Sequence, residues 1–220
     1  MESDEVAKLK EELLVLRQME ATKTAAKDFP FFLEKFVYTH DEHDSIHPTK
    51  KFPPLDYLMD LAKLFVIEDK VLVEKSRQMM VSWIAVSFAL WLAMFHEGKR
   101  VFIQSKKEAD ANALLDRCKF IYRELPEVMR IQYPANKPMP YCKMQWGKQN
   151  SIIQAIPQGA DVLRQYTSSL IISDEMAFQE KAEEAYIAAR PTLIGGGKFI
   201  GISSPNYKEF FYQMVGDKLG

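Results

Sequence analysis

Cysteine is scarce in this chain of 220 residues. There are two, Cys118 on an expected helix and Cys142 on an expected strand, so neither a disulfide framework nor a cysteine metal cluster is available. Long apolar runs are also missing. The longest, Val81 to Phe95, falls short of the roughly 20 residues a bilayer-spanning helix needs. The amino terminus is densely charged and does not read as a secretion signal. Excess charge of either sign is absent as well: 29 Lys and Arg stand against 30 Asp and Glu, a net charge of −1. That excludes a wholly basic nucleic-acid coat and confines any DNA contact to a local patch. The expectation is a cytosolic protein, most simply one domain with appendages.

Two stretches organise the rest. Val71-Leu-Val-Glu-Lys75-Ser76-Arg77-Gln78-Met79-Met80-Val81-Ser82-Trp83 begins as a short apolar strand and runs into the evenly apolar stretch Ile84 to Phe95, expected to be a buried helix. The loop between them lies at that helix's amino end, where free N–H groups and the helix dipole suit phosphate. Aligned on the usual G-x-x-x-x-G-K-[ST] phosphate loop, residues 75–82 match only at Ser82. Lys75 replaces the first glycine, Met80 the second and Val81 the lysine. A cation can reach phosphate from either end of such a loop, and Lys75 with Arg77 beside it could do so. The plainer alternative is a strand-to-helix turn carrying two solvated cations.

The second stretch is Ser169-Leu-Ile-Ile-Ser-Asp174-Glu175, an apolar strand ending in two acids about 90 residues further on. Asp174 suits a Mg²⁺ contact through water, and Glu175 suits polarisation of an attacking water. A third apolar strand, Lys198 to Ile202, ends in the hydroxyls of Ser203 and Ser204 before Pro205.

Taken together, the lysine-first loop from Lys75 to Ser82, the run Ile171-Ile-Ser-Asp174-Glu175-Met-Ala and Gly201-Ile-Ser203-Ser204-Pro205 resemble the ATPase domain of tailed-bacteriophage large terminase subunits. The resemblance covers roughly residues 28 to 215. It implies an α/β fold of the P-loop NTPase (ASCE) type, with a mainly parallel central sheet flanked by helices and an amino-terminal helical appendage. It implies ATP and Mg²⁺ as cofactors and a DNA-packaging motor as the activity. Lys75 would resemble the phosphate-binding lysine, Arg77 the loop arginine that senses the terminal phosphate, and Ser82 and Asp174 the magnesium contacts. Glu175 would resemble the catalytic carboxylate, and Ser203, Ser204 and Pro205 the coupling motif. Arg164, about ten residues before the acidic pair, stands where family members carry an arginine that reaches a neighbouring subunit's nucleotide. The loop residues Ser76, Gln78, Met79, Met80, Val81 and Trp83 would complete the nucleotide contacts. Members often place a glutamine near the adenine, upstream of the loop; here that region offers Asp56 and Tyr57, and Tyr57 is taken as the base contact.

The implied partners are double-stranded DNA, a portal protein, a small terminase subunit and further copies of the chain in a ring, the isolated domain being a monomer, all in the host cytoplasm. Residues 1–50 would be the helical appendage and loop, and residues 51–220 the ATPase domain. The family's nuclease domain has no room before Gly220, so the expectation is the ATPase part of a longer protein that does not cut DNA. Two alternatives stay open: a helicase-like or remodelling ATPase acting on nucleic acid, and a P-loop module that binds DNA or a partner without hydrolysis.

Elsewhere, residues 2–26 read as a charged helix with Val6, Leu9, Leu13, Leu16 and Met19 on one side, expected to pack on its own domain. Residues 40–48 concentrate His40, His43 and His47 among acids; an exposed loop is expected there rather than a metal site. Leu55 to Ile67 and Lys106 to Tyr122 read as helices, the latter with Ala109, Ala113, Leu114, Cys118 and Ile121 inward. Tyr141 to Ile156 reads as a hairpin, and Gly195-Gly-Gly-Lys198 as a turn rather than a phosphate loop. Residues 99–148 carry eleven cations against five acids, a possible duplex-gripping face or a dispersed set.

Overall fold

The structure, a computed structural model, describes residues 2–130, 140–206 and 210–216. The elements in chain order are α1 (Glu2–Lys27), α2 (Phe29–Phe36), β1 (Tyr38–His40), β2 (Thr49–Lys51), α3 (Asp56–Ile67), β3 (Lys70–Glu74), α4 (Val81–Phe95), β4 (Arg100–Gln104) and α5 (Glu108–Glu124). They continue with β5 (Lys143–Trp146), β6 (Ser151–Ile156), α6 (Asp161–Gln165), β7 (Leu170–Asp174), α7 (Ala182–Ile194), β8 (Lys198–Ser203) and α8 (Phe210–Val215).

Six strands form one sheet in the order β3-β8-β7-β4-β6-β5, with every neighbouring pair parallel except the β5–β6 hairpin. β7 is buried at every position, as expected of a strand covered on both faces. Alternate residues divide between two cores. Val101, Ile103, Leu170, Ile172, Ile200 and Ile202 pack beneath α4 and α5, while Phe102, Ile171 and Phe199 pack beneath α6, α7 and α8. The result is three layers, helices on both faces of a mostly parallel sheet.

The amino-terminal region joins the first of these cores. Ala25, Phe29, Phe32, Leu33 and Val37 are buried in the cluster that holds Ile84, Phe88 and Trp91 of α4. Asp28 caps α2 by accepting a 2.9 Å hydrogen bond from the Phe31 N–H, and the Trp91 indole donates to the Ala25 carbonyl at 2.7 Å. Of the described side chains of α1, those at its carboxyl-terminal end dock in this way. Leu13, Leu14, Val15, Leu16 and Met19 are exposed, contrary to the expectation that the whole helix packs on its own domain.

The register brings the carboxyl ends of the strands level. Glu74 pairs with Ser203, Ile202 with Asp174, and Ser173 with Gln104. β8 therefore lies between the strand that leads into the Lys75 loop and the strand that ends in Asp174. Gly201 belongs to this arrangement for a steric reason. A Cβ there would meet Leu72 Cδ2 at 2.8 Å and Met176 Sδ at 2.9 Å, so any larger residue must displace those two side chains.

The 195–198 turn carries Gly196 at φ 80 and feeds β8 rather than a helix, in agreement with its reading as a turn. A 3-10 turn, Met176–Phe178, precedes α7. In α5 the buried face is Ala111, Leu114, Leu115, Cys118 and Ile121, whereas Ala109 and Ala113 are exposed. Leucine, cysteine and isoleucine set the rotation, and the small alanines follow it outward.

Candidate functional site

Residues 75–80 connect β3 to α4 at the carboxyl edge of the sheet, as a phosphate loop does. The loop has no glycine, yet its backbone takes the conformations that glycine usually serves. Met80, at the second glycine position, has φ 59 and Gln78 has φ 64, both left-handed. Such residues are uncommon outside glycine and are held against local strain where the surroundings determine them. Met80 is the N-cap of α4, so the first N–H groups of that helix face the loop. Val81, where the usual lysine would stand, is 4% exposed and belongs to the core.

The cation comes from the loop's other end. The Lys75 N–H donates to the Ser203 carbonyl at 2.9 Å, and the Lys75 ammonium lies 3.6 Å from Glu175 Oε1. Its side chain is only 11% exposed, which limits screening of that pair. The Ser82 hydroxyl donates toward Asp174, with Oγ 3.2 Å from each carboxylate oxygen. Residues 92 apart in sequence thus meet at the ends of β7 and α4.

Burial pushes the Asp174 carboxyl above its ordinary range; Lys75 opposes the shift, Glu175's charge adds to it and the Ser82 hydrogen bond opposes it. An aspartate that holds its proton more tightly when folded costs the empty protein stability as pH rises from the ordinary value of 3.8 through the raised value. Asp174→Asn is therefore expected to unfold at higher urea than wild type at neutral pH without metal or nucleotide, the gain vanishing at acid pH where both side chains are neutral. Equal gains at both pH values would contradict this origin. Ser82 and Asp174 are the hard oxygen donors suited to Mg²⁺. Among the described residues no group of three or more His, Cys, Asp or Glu side chains could form an all-protein metal cage.

Three buried polar side chains behind the acidic pair, Gln104, Ser173 and Gln179, carry no sequence signal. Gln179 Nε2 donates to the Asp174 carbonyl and to the Ser173 hydroxyl, each at 2.9 Å, and Gln104 Nε2 donates to the same hydroxyl at 3.2 Å. They brace the turn in which Glu175 sits at φ 52. Ser203 ties the other side: its hydroxyl accepts from the Ala177 N–H at 3.1 Å, while its carbonyl holds Lys75. Ser204 is half-buried and Pro205 exposed beside it, and neither lines the cleft.

The cleft has a volume of about 1200 Å³. Its walls include Lys75, Arg77, Gln78, Met79, Met80, Val81, Ser82, Trp83, Asp174 and Glu175, so most of the expected residues share one space. Ser76 is exposed at its margin and is not part of the lining. Tyr57 is not part of it either. Leu58, Ala62 and Phe65 point α3 into the core, and Tyr57, one residue before Leu58, is turned outward and 45% exposed. Arg164 is exposed on α6 and does not line its own chain's cleft.

The wall opposite the phosphate loop is built by the β1–β2 hairpin and by Ala113, Asp116, Arg117 and Phe120 of α5. In the hairpin, Lys50 bonds Asp41 at 2.6 Å and Asp44 at 3.1 Å, while Asp41 and Asp44 also accept N–H groups of the turn. The acids among the histidines thus serve the turn itself. The cations of residues 99–148 do not share one face. Lys99 and Arg100 lie at one end of β4, Lys106 and Lys107 beyond the other, and Arg117 faces the cleft; Lys137 lies outside the described residues.

No family model matches the sequence. Among solved structures, the chain is similar to the large terminase of bacteriophage HK97 with a TM-score of 0.66 and 14% identity, over 88% of this chain and 41% of that one. The large terminase of a thermophilic bacteriophage gives a TM-score of 0.56 and 12% identity, over 74% of this chain and 42% of that one. The UvsW helicase of bacteriophage T4 gives 0.55 and 17%, over 86% of this chain and 64% of that one. The chain therefore spans less than half the length of the two terminases. At these identities the likeness is one of fold: a mostly parallel sheet flanked by helices, with a helical amino terminus.

Proposed function

We propose that this chain is the ATP-hydrolysing motor domain of a large-terminase-like machine that drives double-stranded DNA into a procapsid, with Mg²⁺ as its metal. The observation that carries the reading is the meeting of Lys75, Ser82, Asp174 and Glu175 in one cleft, at the amino end of a buried helix. These supply a phosphate cation, two hard oxygen donors and a base. The likeness to the two phage large terminases, the thermophilic one also solved with ADP, supports nucleotide as the ligand. Residues 51–220 would form the ATPase domain, with residues 1–50 as its appendage.

In this reading the loop N–H groups and Lys75 hold the β- and γ-phosphates, with Arg77 at the loop's exposed side. Ser82 and Asp174 would hold Mg²⁺, which neutralises charge on the phosphate oxygens when bound. Glu175 accepts the proton of the attacking water. Binding of phosphate draws the Lys75 ammonium off Glu175, which frees the carboxylate for that task. Gln179, through the Asp174 carbonyl, keeps the Glu175 backbone in place, and Ser203 links loop and turn, in keeping with a coupling role for the 203–205 segment. Arg164, exposed and outside its own cleft, would serve a neighbour's nucleotide in a ring, where a portal protein and a small terminase subunit would be further partners in the host cytoplasm.

Among the described residues no helix is long and apolar enough to cross a membrane. The likeness to UvsW favours a second reading, a helicase-like ATPase. Hydrolysis assayed with duplex DNA, single-stranded DNA and RNA separates the two. The packaging reading predicts Mg²⁺-dependent hydrolysis, abolished by EDTA and stimulated most by duplex. Stronger stimulation by single strands would favour the helicase reading, and failure of wild type to bind Mg-ATP would overturn both.

A further inference from the structure

Resting on the nucleotide reading above, we propose that the cleft wall formed by Trp83, Arg117 and Phe120 is a stacking subsite for the nucleoside end of the ligand, so that the enzyme takes purine nucleoside triphosphates with little distinction between adenine and guanine.

A phosphate loop accounts for one side of a cleft of about 1200 Å³. The other side is lined by a continuous run of flat groups. Trp83 follows Ser82 directly, so it stands next to the phosphate region and begins the run. The Arg117 guanidinium lies 5.2 Å from the Trp83 ring centroid. Phe120 meets Trp83 edge to face at 6.1 Å, and His40 of the hairpin meets Phe120 at 5.7 Å. Arg117, half-buried in the cleft, has no carboxylate partner among the described residues; its neighbour Asp116 is engaged by Lys119 at 2.8 Å. A guanidinium placed over an indole and left without an ion pair can offer a face to another π-system.

Three polar groups of the same wall are engaged within the protein. Asp41 is taken by Lys50 and the His43 N–H, Asp116 by Lys119, and the Thr39 hydroxyl by the Lys50 carbonyl at 3.4 Å. Tyr57, the residue expected at the base, is absent from the lining. Stacking without edge hydrogen bonds favours large bases over small ones and does not separate adenine from guanine, because every base presents a π-face.

The test is calorimetric titration with Mg-ATP, Mg-GTP, Mg-CTP and inorganic triphosphate on wild type, Arg117→Ala and Arg117→Lys. Wild type is expected to bind ATP and GTP within a few-fold of each other and CTP more weakly. Both variants should lose about 10-fold in ATP and GTP affinity, the scale of one base stack, with triphosphate affinity unchanged in either. Arg117→Lys keeps the charge and loses the plane, so wild-type ATP affinity in that variant would assign Arg117 to phosphate charge and overturn the stacking role. An equal loss for triphosphate in Arg117→Ala would do the same. ATP affinity unmoved in both variants would remove the subsite while leaving the phosphate site standing. No binding of either ATP or triphosphate by wild type would instead defeat the nucleotide reading on which the subsite depends.

Discussion

Glu175→Gln is expected to lower ATP hydrolysis by roughly 10²- to 10⁴-fold, the usual contribution of a positioned general base, while Mg-ATP affinity stays within a few-fold of wild type or rises. The substitution keeps the size of the side chain and removes its charge and proton affinity. It also leaves the local backbone with a comparable cost, since Glu and Gln are equally unfavoured at φ 52. Affinity is expected to hold because the carboxylate competes with phosphate for Lys75 in the empty site: the pair at 3.6 Å must separate when nucleotide binds, and the glutamine variant has no such pair to break. Single-turnover hydrolysis and calorimetry on the same preparation would read both quantities. A rate within tenfold of wild type would show that Glu175 is not the base, whatever the affinity. Low turnover of the wild type alone decides nothing, because an arginine delivered by a neighbour supplies a large share of the rate in such motors.

How far this site could be read from the sequence depended on whether a residue's role follows local patterning. The strand, loop and helix around Lys75 and the acidic strand ending at Glu175 were legible, since apolar runs with abrupt polar ends mark buried strands of a parallel sheet. The β5–β6 hairpin and the turn at Gly196 were legible for the same reason. The backbone at Gln78 and Met80 was not. Left-handed φ without glycine is imposed by the surroundings, here by Val81 entering the core on one side and Lys75 tied to Ser203 on the other.

The cleft's second wall was hidden differently. β1 and β2 are three residues each, mostly exposed and polar, and flank the 40–48 stretch that reads as an exposed loop. Arg117 lies at the border of α5's buried face, where a cation carries no signal until a partner such as Trp83 is placed against it. Gln104, Ser173 and Gln179 come from three separate segments and meet only through the sheet register. Tyr57 shows the converse. Sequence proximity to an expected base site suggested it, but the rotation of α3, set by Leu58, Ala62 and Phe65, sends it to solvent.

Lys75→Ala is expected to weaken Mg-ATP binding by roughly 100-fold or more, because it removes a largely buried ammonium beside the loop and leaves Glu175 uncompensated against the incoming phosphates. Arg77 is exposed and contributes charge through solvent, so it cannot make up the difference. The informative companion is the double variant Lys75→Ala/Val81→Lys, which restores the usual loop lysine in sequence. If loop position alone determined phosphate binding, affinity would return. The structure leads to the opposite expectation. Val81 is 4% exposed and packed in the core that holds Ile84 and Phe88, so a longer lysine there must displace core side chains to bring its ammonium into the cleft. The double variant should thus bind no better than Lys75→Ala and unfold at lower denaturant. Recovered affinity with wild-type stability would mean that the turn at Met80 can reorganise to the usual geometry, and that the lysine-first loop is one of two arrangements this backbone supports rather than the one its core requires.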